Sequence, residues 1–194
     1  MRDLVVIVAL LACAACGPKY VRGSEDKTID NPAMSTGLDK RDLEQLLDQS
    51  MASMMESAVV KGWPSLPEPP VVAIFPIANE TSEHVGGQLK ALLSKIETRL
   101  VNGGYAQVVS QETQDALIEQ IQKQQGGAFD KSRAAQVGKQ LGARFYVTGK
   151  VYDAAERTSD ARRVQYFLTM QILDVETGTI RWQNEAELTK ALVR

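Results

Sequence analysis

Residues 71–77 read VVAIFPI, a short and almost wholly apolar run set between a Pro-rich stretch and a polar loop. A run of this length without alternation reads as a central strand covered on both faces. It therefore demands a layer of structure on each side of a sheet. The flanking sequence supplies them. From Asp39, the residues Leu43, Leu46, Leu47, Met51, Met54, Met55 and Ala58 recur at three- and four-residue steps, one face of a helix that Gly62 can end. At this spacing the methionines belong to a core rather than to a soft docking surface. The stretch from Pro64 to Pro70 is expected to be polyproline-like rather than helical.

After the apolar run comes a loop, Ala78 to Gly87. A helix follows with Leu89, Leu92, Leu93, Ile96 and Leu100 on one face, and it stops at Asn102-Gly103-Gly104. Tyr105 to Val109 is a second strand. Ser110 caps the next helix, whose apolar face is Ala116, Leu117, Ile118 and Ile121, and residues 124–127 break it. Asp130 caps a third helix, with Ala134, Val137 and Leu141 inward and Gly142 at its end. Arg144 to Val151 is a third strand, and a charged loop is expected from Asp153 to Arg162. Val164, Tyr166, Leu168, Met170 and Ile172 then alternate along a half-buried strand. Glu176 to Thr179 forms a hairpin turn, with Gly178 supplying a positive φ, and Ile180, Trp182, Asn184 and Ala186 alternate along the last strand. The order α-β-α-β-α-α-β-β-β gives an α/β fold. It is a single small domain with a mixed sheet of about five strands and helices on its faces.

Residues 1–16, MRDLVVIVALLACAAC, are an address. Arg2 is a minimal basic region, and the nine apolar residues Leu4 to Ala12 fall short of the roughly 20 that cross a bilayer. An apolar run, small residues and then cysteine resembles the lipobox of bacterial lipoproteins, in which the cysteine becomes the first mature residue and carries lipid. Cys16, preceded by Ala14 and Ala15, is favoured over Cys13. That gives a signal peptide over 1–15, lipidated Cys16 with a tether over 16–37, and a globular domain over 38–194. In such lipoproteins the residue after the cysteine helps choose the membrane, and Gly17 points to the outer one. The polar residues 17–37 would reach at most roughly 70 Å when fully extended.

Composition restricts the chemistry. With 22 Lys+Arg against 24 Asp+Glu, the chain lacks the basic footprint of a nucleic-acid binder. Cys13 and Cys16 are its only cysteines and His84 its only histidine, so a disulfide framework, a Cys-based zinc site and a multi-histidine metal site are excluded from the folded body. No Gly-rich phosphate loop and no G-x-S-x-G surrounds a candidate nucleophile. No cofactor, metal or small-molecule substrate is implied, and binding or regulation fits better than catalysis. Arg157, Arg162 and Arg163 form a local basic edge.

FPIANETSEHV (Phe75 to Val85), NGGYAQVVS (Asn102 to Ser110), KQLGARFYVTGKV (Lys139 to Val151) and LDVETGTIRWQNEA (Leu173 to Ala186) occur in an order and spacing that resemble the LpoB family. The TolB N-terminal and CsgG-like domains share the fold. The resemblance implies an outer-membrane lipoprotein facing the periplasm. Such a protein binds a class A penicillin-binding protein and stimulates peptidoglycan synthesis without being an enzyme. The tether here is shorter than that of the best-known members. Partner contacts are placed on the loop 79–84, at Asn79, Thr81 and His84, or on the surface of the helix over 88–101, although Asn79 and Thr81 are equally suited to building their own loop through side-chain to backbone hydrogen bonds. The alternative is a structural or assembly lipoprotein of an envelope or secretion complex, CsgG-like or TolB-like.

Overall fold

The computed structural model describes residues 33, 35–115, 137–157 and 161–193, and residues 35–194 form one unit. Cys13, Cys16, most of the tether, the helix face Ala116–Ile121, the break at 124–127 and the Asp130 cap lie outside the described residues.

The helical layer starts with α1, Lys40–Glu56, which buries Leu43, Leu46, Leu47, Ser50, Met51 and Met54. The three clustered methionines are thus core or core-flanking, as their spacing predicts. The helix does not run unbroken to Gly62. Ser57 takes an extended conformation, and its hydroxyl accepts from Val60 N–H, capping a second short helix, α2, Ala58–Gly62. Nor is the Pro-rich stretch extended from its start, because Trp63–Ser65 makes one 3₁₀ turn. That turn drives Trp63 into the core against Phe145, with ring centroids 5.6 Å apart.

The apolar run is strand β1, Val71–Asn79. Its central position is confirmed by two separate cores. Val72, Ile74 and Ile77 join the main cluster beneath α1 and the helix α3, Gly86–Asn102. Ala73 and Phe75 point the other way, to Val137, Ala143, Tyr146 and Val175. The register against the neighbouring strand shifts between Ile74 and Ile77, and Pro76 sits at this irregularity with no N–H to leave unpaired. The shift also returns Ile77 to the main core.

The sheet order is β2-β1-β3-β4-β5, with β2 Gln107–Val108, β3 Phe145–Arg157, β4 Ala161–Asp174 and β5 Ile180–Val193. Strands β1, β2 and β3 are parallel, and β3, β4 and β5 form an antiparallel meander. With β1 between β2 and β3, right-handed crossovers place successive connections on opposite faces. Accordingly α3 lies over the main core and residues 137–141 over the second one.

The second strand is shorter than its sequence suggests, and side chains replace the missing ladder. Ile74 N–H donates to Gln114 Oε1 and Ile74 C=O accepts from Gln111 Nε2, both at 3.0 Å, while Gln114 Nε2 donates to Val109 C=O. Gln114 is fully buried, so Gln114→Ala strands a backbone donor and an acceptor. A loss of about 2 kcal/mol is expected, read from the urea midpoint.

Residues 153–157 and 161–162 are strand and not the expected charged loop. β3 runs on to Arg157 and β4 begins at Ala161, with Asp153 opposite Tyr166 and Arg157 opposite Arg162. Cross-strand pairing carries the ladder past Val164, the last described buried residue at this end of β4, so the apolar alternation that marks a strand fades. The meander depends on close approach at Gly149, where an added Cβ would lie 2.5 Å from the backbone oxygen of Thr169. Gly149→Ala is therefore expected to cost about 2 kcal/mol in thermal or urea unfolding, by prying β3 from β4. The turn joining β4 to β5 is as predicted, with Gly178 at φ +68° and Asp174 Oδ1 accepting from Glu176 and Thr177 N–H. Those backbone hydrogen bonds hold the Asp174 carboxyl below its ordinary 3.8.

Candidate partner-binding face

In an open sheet with this strand order, ligands settle beyond the carboxyl end of the strand where the connections reverse direction. Here that end is β1, and the loop 79–85 fills the space. Asn79 Oδ1 accepts from Thr81 N–H and Thr81 Oγ1, Thr81 Oγ1 accepts from Glu83 N–H, and Asn79 Nδ2 donates to Glu83 C=O. Glu80 N–H donates to Val151 C=O at 2.8 Å, and Lys150 Nζ lies 3.0 Å from Glu80 Oε2. The polar atoms of Asn79 and Thr81 are spent inside the loop, whereas His84 is exposed. The loop is therefore a built projection and not the rim of a crevice.

Beside it lies an open surface. The inward residues of β4 (Val164, Tyr166, Leu168, Met170 and Ile172) are buried under the helices. Their neighbours Gln165, Phe167, Thr169 and Gln171 face the other side and are half-buried. Near β1 that side is covered by residues 137–141. Further along the meander, no described helix packs on it. Tyr152 and Phe167 stack there with centroids 5.0 Å apart and planes 17° apart. Lys150 Nζ sits 5.1 Å over the Tyr152 ring. Glu185 Oε2 accepts from Tyr152 Oη and Thr169 Oγ1, and Gln171 Nε2 donates to Gln183 Oε1. The hydrogen bond to Glu185, aided by burial, pushes the Tyr152 phenol above its ordinary 10.0, so the ring stays neutral and its hydroxyl fixed. This is a rigid aromatic centre in a polar frame, the composition of a protein-contact patch.

Tyr152 and Phe167 lie in none of the segments that carry the family resemblance, and Lys150 and Glu185 lie in two of them without being singled out. The available signal is Phe167, an aromatic at an outward position of an alternating strand. The opposite side of the molecule has a groove of about 390 Å³ between α1 and α3, lined by residues including Leu47, Met51, Ser94 and Thr98. The ion pairs Lys95–Glu44 and Arg99–Asp48 border it, and nothing in it couples a nucleophile to a base. Among the described residues, no three His, Cys, Asp or Glu side chains are grouped to hold a metal. No described helix is long and apolar enough to cross a membrane.

A family model described as the peptidoglycan-synthase activator LpoB matches residues 42–188. The chain belongs to the LpoB family. Its role at that level is regulatory, activation of peptidoglycan synthases. Among solved structures, the LpoB C-terminal domain from Salmonella enterica aligns with a TM-score of 0.51 at 16% identity, over 76% of this chain and 98% of that domain. The Escherichia coli LpoB C-terminal domain aligns at 0.49 and 20% identity, over 73% and 95%. Lipoprotein GNA1162 from Neisseria meningitidis follows at 0.45 and 16%, over 63% and 84%. At these identities the Salmonella match establishes a shared fold. A search of curated protein sequences finds no match. The LpoB match begins at Asp42 and ends at Leu188, so it takes in the loop 79–85 and the open face.

Proposed function

We propose that this chain is an outer-membrane lipoprotein, anchored through Cys16 and facing the periplasm, that binds a class A penicillin-binding protein and stimulates it. The LpoB match carries this reading. The open face around Tyr152 and Phe167 would be the docking surface, with the loop 79–84 at its border. In this arrangement His84 is the loop residue free to touch the partner, and Asn79 and Thr81 contribute by holding the loop's shape. Activation requires only that the domain bind the active conformation of the synthase more tightly than the resting one. A ten-fold stimulation by population shift corresponds to about 1.4 kcal/mol of such preference. The protein itself supplies no catalytic group.

The test is glycan polymerisation from lipid-linked precursor by each class A synthase of the source organism, with and without the chain. A saturable, several-fold rise identifies the partner. No rise and no binding to any synthase overturns the reading and leaves an envelope-assembly role. Anchoring is tested separately by fatty-acid labelling, which Cys16→Ala should abolish and Cys13→Ala should leave in place.

A further inference from the structure

We propose that the outer edge of β5 receives an added β-strand from a protein partner, an extended segment carrying basic side chains two residues apart. β5 is the last strand of the sheet, and no hydrogen bond from any described residue reaches the edge it turns away from β4. Every second residue there offers an unpaired N–H and C=O, the template on which strands add.

Folded proteins blunt such edges with prolines, bulges, inward charges or charged side chains along the edge. On β5 a bulge and an inward charge sit only at the ends, and the charges between them, Glu185 and Glu187, are both negative. A register shift opposite Ile172 and Leu173 irregularises the turn end, and Lys190 points inward near the other. The segment from Gln183 to Thr189 between them pairs with β4 without interruption, over roughly 20 Å. Ile180 and Leu192, beyond its two ends, remain 52% and 55% exposed and offer apolar contacts to a longer strand.

Charge selects the occupant. On the open side of this segment stand Glu185 and Glu187, both exposed. Glu185 is held upright by Tyr152 and Thr169, and Glu187 makes no hydrogen bond or ion pair with any described residue. A second copy paired about a two-fold axis at residue 185, 186 or 187 would set glutamate against glutamate. Like charges directly opposite destabilise a strand pair. A strand with lysine or arginine at two alternate positions reverses that sign while keeping the backbone ladder. The inference does not require the activator reading, although Glu185, which it uses, also frames the aromatic face.

The test is residue-resolved amide hydrogen exchange on the whole chain in mild detergent, with the synthetic peptides GTVKVKVTG and GTVEVEVTG as probes. The lysine peptide is expected to slow exchange of alternate amides in residues 183–189 about ten-fold, and the glutamate peptide to leave them unchanged. Glu187→Lys, at an exposed position outside the core, should weaken the first effect and strengthen the second. Circular dichroism confirms that it folds, and Glu187→Gln replaces it if it does not. Equal protection by both peptides, or by neither, overturns the proposal. β5 protection that rises with chain concentration in the absence of peptide overturns it too, by assigning the edge to a second copy.

Discussion

Replacing Lys190 by methionine is expected to cost the fold about 3 kcal/mol, or roughly 10 °C in melting temperature. Lys190 lies on β5 with its side chain turned under the helices, 7% exposed. Its ammonium donates to Gly37 C=O, Asp39 Oδ2 and Asp42 Oδ2, each at 2.8 Å, so all three of its protons are used. Asp39 and Asp42 are also the reciprocal cap of α1, each accepting from the other's backbone N–H. One lysine thus fixes residues 37–42, including the first turn of α1. Tyr166 adds to the same junction by donating to Thr36 C=O. Methionine preserves the packing of the stem but leaves Asp42, nearly buried, without its counter-charge. The half-exposed Asp39 recovers solvation, which keeps the loss at the low end for a broken buried pair.

The pH dependence gives the same variant a signature that simple loss of packing lacks. Burial alone would raise the Asp39 carboxyl, but the hydrogen bond from Lys190 and those from backbone N–H groups hold it below 3.8. Burial alone would lower the Lys190 ammonium, but its hydrogen bonds to Asp39 and Asp42 hold it above 10.5. The depressed carboxyl stabilises the fold above its unfolded value, and that contribution is lost as pH falls through the folded value. The raised ammonium stabilises the fold below 10.5, and that contribution is lost as pH rises through its folded value. The stability gap between wild type and Lys190→Met should therefore be widest between about pH 5 and 9 and narrow on both sides. Urea titrations across pH read it directly, and a gap that does not vary with pH would assign the loss to packing.

This junction also shows what the sequence does and does not announce. The alternation Ile180, Trp182, Asn184, Ala186 extends to Leu188 and then to Lys190, so a lysine at an inward position is visible in the pattern. Its partners are about 150 residues away in sequence, and no local rule names them. The central strand was legible because burial on both faces removes polar residues from a run outright. The helix face of α1 is legible because six leucines and methionines repeat at helical spacing, whereas its break at Ser57 is not, since an apolar stripe continues across it through Val59 and Val60. The extension of β3 and β4 is not legible, because Asp153, Glu156, Arg157, Arg162 and Arg163 interrupt the apolar alternation there. The loop residues Asn79 and Thr81 stood out as polar residues after a strand, and the structure shows those polar atoms turned to one another. Tyr152 and Phe167 had no motif to mark them. Their pairing follows from a register, Tyr152 opposite Phe167, that only the folded meander sets.

That pair carries the second large effect. If the open face is the docking surface, replacing both Tyr152 and Phe167 by alanine should raise the concentration of the domain needed for half-maximal stimulation by roughly 30-fold, the 2 kcal/mol or more carried by a central aromatic contact. The fold should tolerate the change. Both rings are only half-buried, and a cross-strand aromatic pair on a wet face contributes about 1 kcal/mol. Tyr152→Phe keeps the stacked ring and removes the bond to Glu185, so it should shift the same concentration by no more than about three-fold. A larger shift would mean that the hydroxyl, or Glu185 held by it, makes the contact. Lys95→Ala with Arg99→Ala, on the far side beside the groove between α1 and α3, serves as the comparison and should leave stimulation unchanged. If the alanine pair stimulates as well as wild type while the Lys95 and Arg99 changes abolish stimulation, the docking surface is the helical side. The aromatic pair would then be a stabilising contact of the meander alone.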